Sequence, residues 1–261
     1  MSQFFGQADI NLTNYWPADW LAAVQSVGAC DLAENTRNCH LRLFKYLPEQ
    51  YASSVLDGNL LFRNLPYFMK IEGDPRVDAY EGMHVDAPNN DVTITNVTTG
   101  QKIVGRFAYH NELNRPELIF CFCLSMAYDA GLRKFGGACI EITDEQALHD
   151  RIAGALLRRS RLTRLDRPLL RADRITYYRT DAAVAEGVDI KNPTHLPFLK
   201  RDTYAAEQEY RYVFAKRGGY ELNQVIVNRL HQRNADIAKL KADEITLRIG
   251  SIRDIAEARA V

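Results

Sequence analysis

The chain has 261 residues, 46% of them hydrophobic and 25% charged, an ordinary globular composition that excludes disorder as a global description. Its 33 basic and 33 acidic residues cancel, which excludes a uniformly basic surface for nucleic acid or membrane but leaves room for a local basic patch. No apolar run approaches the roughly 18 residues of a membrane span.

The opening MSQFFGQADINL has neither a positive n-region nor an apolar h-region, so no signal peptide is expected and a cytoplasmic protein is the default. On that basis the glycosylation patterns at Asn11 and Asn96 are discounted. Residues 1–40 read as an accessory segment, with Trp16-Pro17-Ala18-Asp19-Trp20-Leu21 leading into a short amphipathic helix that ends near Gly28. LRLFKYL (41–47) reads as a strand, Pro48 as a helix start, and EQYASSVLD as a helix closing at Gly58. NLLFRNL (59–65) is a second strand, and residues 66–90, with three prolines and two glycines, read as a loop.

DVTITNV and QKIVGRF are β-branched runs joined through Thr98-Thr99-Gly100, a hairpin signal. ELIFCFCLS (117–125) is a continuous apolar run expected to be a central strand, and GGACIEI (136–142) another. Asp144 is placed to cap a helix running to Arg159. RITYYRT (174–180) and EYRYVFAK (209–216) alternate as strands, residues 224–241 carry helical spacing, and EITLRIG (244–250) precedes a short terminal helix. Strands and helices mix without a βαβ rhythm, so the expected class is α+β. The five cysteines show no metal-ligand spacing, and Cys121-x-Cys123 reads as a pair of inert buried thiols.

Several chemistries lack their motifs. No GxGxxG follows a strand, and GxxxxGK[ST], GxSxG and HExxH are absent; the six histidines are scattered. Three features remain. Glu207, Glu209 and Arg211 alternate at the start of a strand, so one face would carry two carboxylates and a cation to relieve their repulsion. A solvated Glu/Arg ladder has the same spacing. Lys45-Tyr46 ends a strand directly before a helix, where a phosphate and a ring could be met; a snorkelling lysine and a half-buried tyrosine would look the same. Ser125 ends the CFCLS strand, as a binding residue or a simple turn residue.

Taken in order, these segments resemble a bacterial domain family of unknown function. The resemblance covers roughly residues 41–255 and rests on LFKYLPEQYASSVLDGNLLF, on Asp74-Pro75-Arg76 with Asp78, Glu81 and Gly82, on FCLS with GGACIEI, and on FLKRDTYAAEQEYR. The last is similar to a signature f-x-K-x-x-x-W-x-x-E-x-E-x-R, with Tyr204 in the tryptophan position. The layout is also similar to the ADP-ribosyltransferase superfamily, which implies a mixed or antiparallel split sheet with peripheral helices over residues 41–261 and NAD as co-substrate. It departs from that superfamily in carrying Lys-Tyr rather than His or Arg in the first motif, and Met126 after Ser125.

By that resemblance Lys45, Tyr46 and Ser125 contact NAD, Glu209 faces the positive charge growing on the ribose, and Glu207 handles the acceptor, while Arg211 supports them. The acceptor would be a macromolecule, nucleic acid or protein, and the setting implies a toxin or anti-phage effector with an antitoxin as a possible partner. Two alternatives stand beside it: a catalytically inactive binding module of the same fold, and an NAD glycohydrolase. Asp74, Asp78 and Glu81 are spaced so that one helical turn would gather them; pinning a loop beside the cleft through backbone amides or Arg76 is the expected role, substrate contact and a metal the other two. Arg158, Arg159, Arg161, Arg164, Arg167, Arg171 and Arg174 form either a phosphate-tracking helical stripe or a solvated face paired with Asp150, Asp166 and Asp173.

Overall fold

A computed structural model describes residues 41–70, 78–87, 90–160, 164–182, 188–227 and 239–259. The expected accessory segment 1–40, with its helix, lies outside the described residues.

β1 (Leu43–Leu47) buries every side chain except the half-buried Lys45. A 3-10 turn over Glu49–Tyr51 passes into α1 (Ala52–Leu56) and stops at Gly58. There φ is +82° and a Cβ would lie 1.7 Å from the Gly250 carbonyl oxygen, so only glycine fits. β2 (Asn59–Asn64) alternates half-buried and buried positions. The expected loop after it instead holds α2 (Leu65–Lys70), which takes Pro66 in its first turn and buries Leu65, Phe68 and Met69, and β3 (Met83–Asp86). The proline marks a helix start here, not a break.

β4 (Val92–Thr95) and β5 (Lys102–Gly105) form the expected hairpin. Its turn is closed by the Asn96 side chain, which accepts the N–H groups of Thr98 and Thr99. These are the described strands of one of two compact units of the chain; the other spans His40–Pro88 and Phe107–Val261.

The larger unit continues with β6 (Ala108–Leu113), β7 (Ile119–Ser125) and β8 (Ala138–Ile142). α3 (Glu145–Ser160) follows, capped as expected by Asp144, whose carboxylate accepts the Ala147 N–H at 2.9 Å. The expected strand 174–180 is broken: β9 (Arg171–Arg174) and β10 (Thr176–Tyr178) separate at Ile175, whose N–H is taken by the Glu209 carbonyl. β11 (Leu199–Arg201), β12 (Glu209–Ala215), β13 (Leu222–Val227), β14 (Glu244–Arg248) and β15 (Ala256–Arg259) complete the list.

β7 is the centre of the main sheet, as its apolar run requires. Its whole length pairs with β12, from Ser125↔Glu209 to Ile119↔Ala215. Its other edge is shared: β2 meets it at Cys121 and Phe120, β1 at Ser125. β14 extends the sheet beyond β2, β8 and β15 beyond β1, and β9 beyond β12. α3 and α1 cover one face through a core that includes Leu43, Phe62, Phe122, Ile152, Leu156 and Phe214. α2 and the β10–β11 pair contribute to a second core with Leu65, Ile119, Leu199 and Val213. Among the described residues every ladder is antiparallel except β10–β11. The class is mixed α+β, mostly antiparallel with few helices.

Two expected helices are corrected. The described start of 224–241 is β13, paired residue by residue with β6, and 228–238 lie outside the described residues. The terminal segment is β15, an edge strand on β8, where the Arg259 side chain meets Glu141. Cross-strand partners decide both segments against the expected helices. The arginine stripe is also corrected. Arg158 and Arg159 end α3, Arg164 and Arg167 follow outside it, and Arg171 and Arg174 lie on β9; Arg161 is outside the described residues. Arg171 stacks over Phe198 and bonds Thr194. No helix among the described residues is long and apolar enough to cross a membrane.

Candidate functional site

The sheet order sets three separate segments side by side. Phe44 on β1, Ser125 on β7 and Glu209 on β12 are register partners in one row. Around that row Lys45, Tyr46, Ser125, Glu207 and Glu209 line a cleft with about 390 Å³ of empty volume open to solvent. All five residues expected to bind or react are therefore in one place.

Their side chains divide into two groups. Lys45 lies over the Phe122 ring, and its Nζ donates to the Cys123 carbonyl at 2.7 Å. The Tyr46 hydroxyl donates to the Ala127 carbonyl and accepts the Asp129 N–H, so it anchors the loop that follows β7. Burial raises its pKa. Ser125 is buried; its Oγ donates to the Glu207 carbonyl at 2.8 Å and accepts the Ala127 N–H. These three build the cleft wall, and Ser125 ties it to the carboxylates.

The carboxylates come from a bent segment. Expected strand alternation at Glu207 and Glu209 is corrected: Glu207 ends a 3-10 helix, Asp202–Glu207, and only Glu209 is on β12. Between them Gln208 is left-handed at φ +42°, the only non-glycine among the described residues with positive φ, a strain of about 1–3 kcal/mol. The two carboxylates meet through Lys200, a cation with no role in the expected site. Lys200 Nζ lies 2.7 Å from Glu207 Oε2 and 3.2 Å from Glu209 Oε2.

Arg211, fully buried, holds Glu209 from behind through Nε at 2.5 Å and Nη2 at 2.9 Å. Its other bonds go to both oxygens of Glu81, each at 2.8 Å, and to the Pro197 carbonyl. Three buried carboxylates thus share two buried cations, so the acidic groups of the cluster outnumber its cations by one. Tyr177 on β10 completes the site by accepting the Glu209 N–H at 2.9 Å.

This arrangement pushes the pair of carboxylates apart in acidity. Burial acts to raise the pKa of Glu209, but Arg211 and Lys200 outweigh it and hold the group far below the usual carboxylate range. Burial also raises Glu207, and there Lys200 only partly offsets it. A fixed anion beside a carboxylate of raised proton affinity is the pattern of an electrostatic stabiliser next to a general base.

Asp78 and Glu81 are buried and do hold a turn, with the Glu81 N–H on the Asp78 carbonyl. One helical turn does not gather their side chains on a common partner, as the spacing had implied. Asp78 accepts the Tyr80 N–H and pairs with Arg201 at 2.8 Å, while Glu81 takes Arg211. Asp74 and Arg76 lie outside the described residues. No group of three or more His, Cys, Asp or Glu among the described residues is placed to hold a metal. Burial pushes the thiol of Cys121 up to about 12 and that of Cys139 to about 11, which leaves both unreactive near neutrality.

Lys200 had a signal in the sequence: a lone lysine in LPFLKR, just ahead of two glutamates. Tyr177 and the Glu81–Arg211 pair had none, since they come from segments far apart in the chain. No family model, no characterised protein and no solved structure matches the chain.

Proposed function

We propose that this chain is an NAD-dependent ADP-ribosyltransferase acting on a macromolecule, nucleic acid or protein, on a split sheet of the ADP-ribosyltransferase type. The observation that carries the reading is the pair Glu207–Glu209: two carboxylates on one cleft with opposite shifts in acidity. The lining of the cleft offers Lys45 as a point charge for a pyrophosphate beside the apolar Phe44 and Phe135.

Cleavage of the nicotinamide N-glycosidic bond develops positive charge on the ribose, as in glycoside hydrolysis. Glu209, kept anionic by Arg211 and Lys200, opposes that charge from the cleft lining. Glu207 takes the proton of the incoming acceptor. Transfer to a macromolecule of this kind is the activity of a toxin or anti-phage effector in the cytoplasm, with an antitoxin as its natural restraint.

A second reading has one observation in its favour. Both Glu209 oxygens are already occupied, Oε1 by Arg211 and Oε2 by Arg211 and Lys200, as in an inactive module that keeps the cluster for stability. Incubation with NAD labelled in the adenylate half decides between them. Label on protein or nucleic acid supports transfer, free labelled ADP-ribose supports a glycohydrolase, and intact NAD supports the binding module.

A further inference from the structure

Lys200 is 3% exposed, and a lysine is rarely buried without a purpose that repays its desolvation. Its surroundings are strongly charged. Glu207 and Tyr204 face it from the 3-10 helix, Glu209 and Arg211 from β12, Glu81 from the turn before β3, and its register partner on β10 is Tyr177. Its three carboxylate distances are unequal: 2.7 Å to Glu207, 3.2 Å to Glu209 and 3.7 Å to Glu81.

The inequality has a cause. Glu81 and Glu209 each have two bonds from the Arg211 guanidinium and stay paired without Lys200. Glu207 has Lys200 as its cation, and no other ion pair is formed by Glu207 among the described residues. The small parallel ladder β10–β11 adds a geometric constraint. Its paired residues Tyr177 and Lys200 grip the backbone N–H and the carboxylate of Glu209, so the ladder fixes where the ammonium stands relative to the cleft.

We propose that Lys200 is the positioning residue for Glu207: its ammonium tethers that carboxylate beside Glu209 and keeps it deprotonated to accept the proton of the macromolecular acceptor. The proposal rests on the transferase reading for the identity of that proton, but the tether itself does not. Without the ammonium, Glu207 stands buried next to Glu209 with only the more distant Arg211 to offset it, and it takes up a proton from water instead of from the acceptor.

The test compares wild type, Lys200→Met and Lys200→Arg. In the assay with labelled NAD, the acid limb of the pH–rate profile for transfer is expected to move up by about 1–3 pH units in Lys200→Met. Lys200→Arg, which keeps the charge, returns it toward wild type. A uniform loss at all pH values with an unmoved limb would make Lys200 structural and overturn the proposal. Carboxyl ¹³C NMR of Glu207 reads the same shift without turnover. A raised Glu207 midpoint in Lys200→Met supports the tether even where NAD stays intact, in which case the transferase reading fails alone; an unchanged midpoint overturns the tether. Should Lys200→Met not fold, Lys200→Gln replaces it. The wild-type Lys200 ¹⁵N ammonium signal gives an independent answer: it should shift with the Glu207 titration, and indifference to it counts against the proposal.

Discussion

Glu209→Gln separates catalysis from stability in a single side chain. In the wild type its carboxylate accepts three charge-assisted bonds, two from Arg211 at 2.5 and 2.9 Å and one from Lys200 at 3.2 Å. The amide keeps one acceptor oxygen and turns an NH₂ toward donors, so at least one charge-assisted bond is lost and a donor faces a buried cation, although Arg211 keeps Glu81 and Lys200 keeps Glu207. Breaking a buried pair in this way costs about 3 kcal/mol of folding stability. The catalytic loss is larger in effect: Glu209 is the anion that lines the cleft, and removal of one main electrostatic stabiliser lowers turnover by about 10²–10⁴-fold.

Urea denaturation followed by circular dichroism reads the first quantity, and NAD consumption well below the unfolding transition reads the second. Glu81→Gln is the control. It weakens the two 2.8 Å bonds to Arg211 away from the cleft, so it should lose comparable stability but less than about tenfold in turnover. A Glu209→Gln protein that is destabilised yet consumes NAD at nearly the wild-type rate would refute the catalytic assignment and leave Glu209 as a structural ion.

Glu207→Gln should suppress transfer more than NAD hydrolysis, because its work concerns the acceptor; equal losses measured with labelled NAD would remove that division. Asp78→Ala removes the partner of the Arg201 guanidinium and of the Tyr80 N–H, and should lower stability by about 1–3 kcal/mol in thermal melts while activity survives EDTA. The buried His84 should make stability pH-dependent. Burial, with His110 second, holds its imidazole at about 4, and neither ring nitrogen has a hydrogen-bond partner among the described residues. The unfolded chain therefore binds the proton first: stability is complete above about pH 6.5 and is lost as pH falls toward 4, by up to about 3 kcal/mol. His84→Phe, placed against the same Tyr178 ring, should flatten this limb of the urea-midpoint profile, and an unchanged slope would put the titration elsewhere.

Strands 43–47, 59–64, 119–125, 138–142 and 209–215 and the Asp144-capped helix were legible because each carries its own signal: an apolar run, an alternation or a cap, all read from neighbouring residues. The candidate residues Lys45, Tyr46, Ser125 and Glu209 were legible for a related reason, since each stands at or near the end of such a strand. Their meeting depended on the order β1–β7–β12, which no local pattern encodes. The same limit explains the misread segments. Residues 224–227 and Ala256–Arg259, expected in helices, become strands because β6 and β8 offer edges more than a hundred residues away in the chain. The charge state of the site, most of all, comes from long-range packing. Two positions apart in the chain, Glu207 and Glu209 are near neighbours in any fold. Which of the two holds its proton more tightly depends on Lys200, Arg211 and Glu81 arriving from separate segments into one buried cluster, where low dielectric makes each distance count.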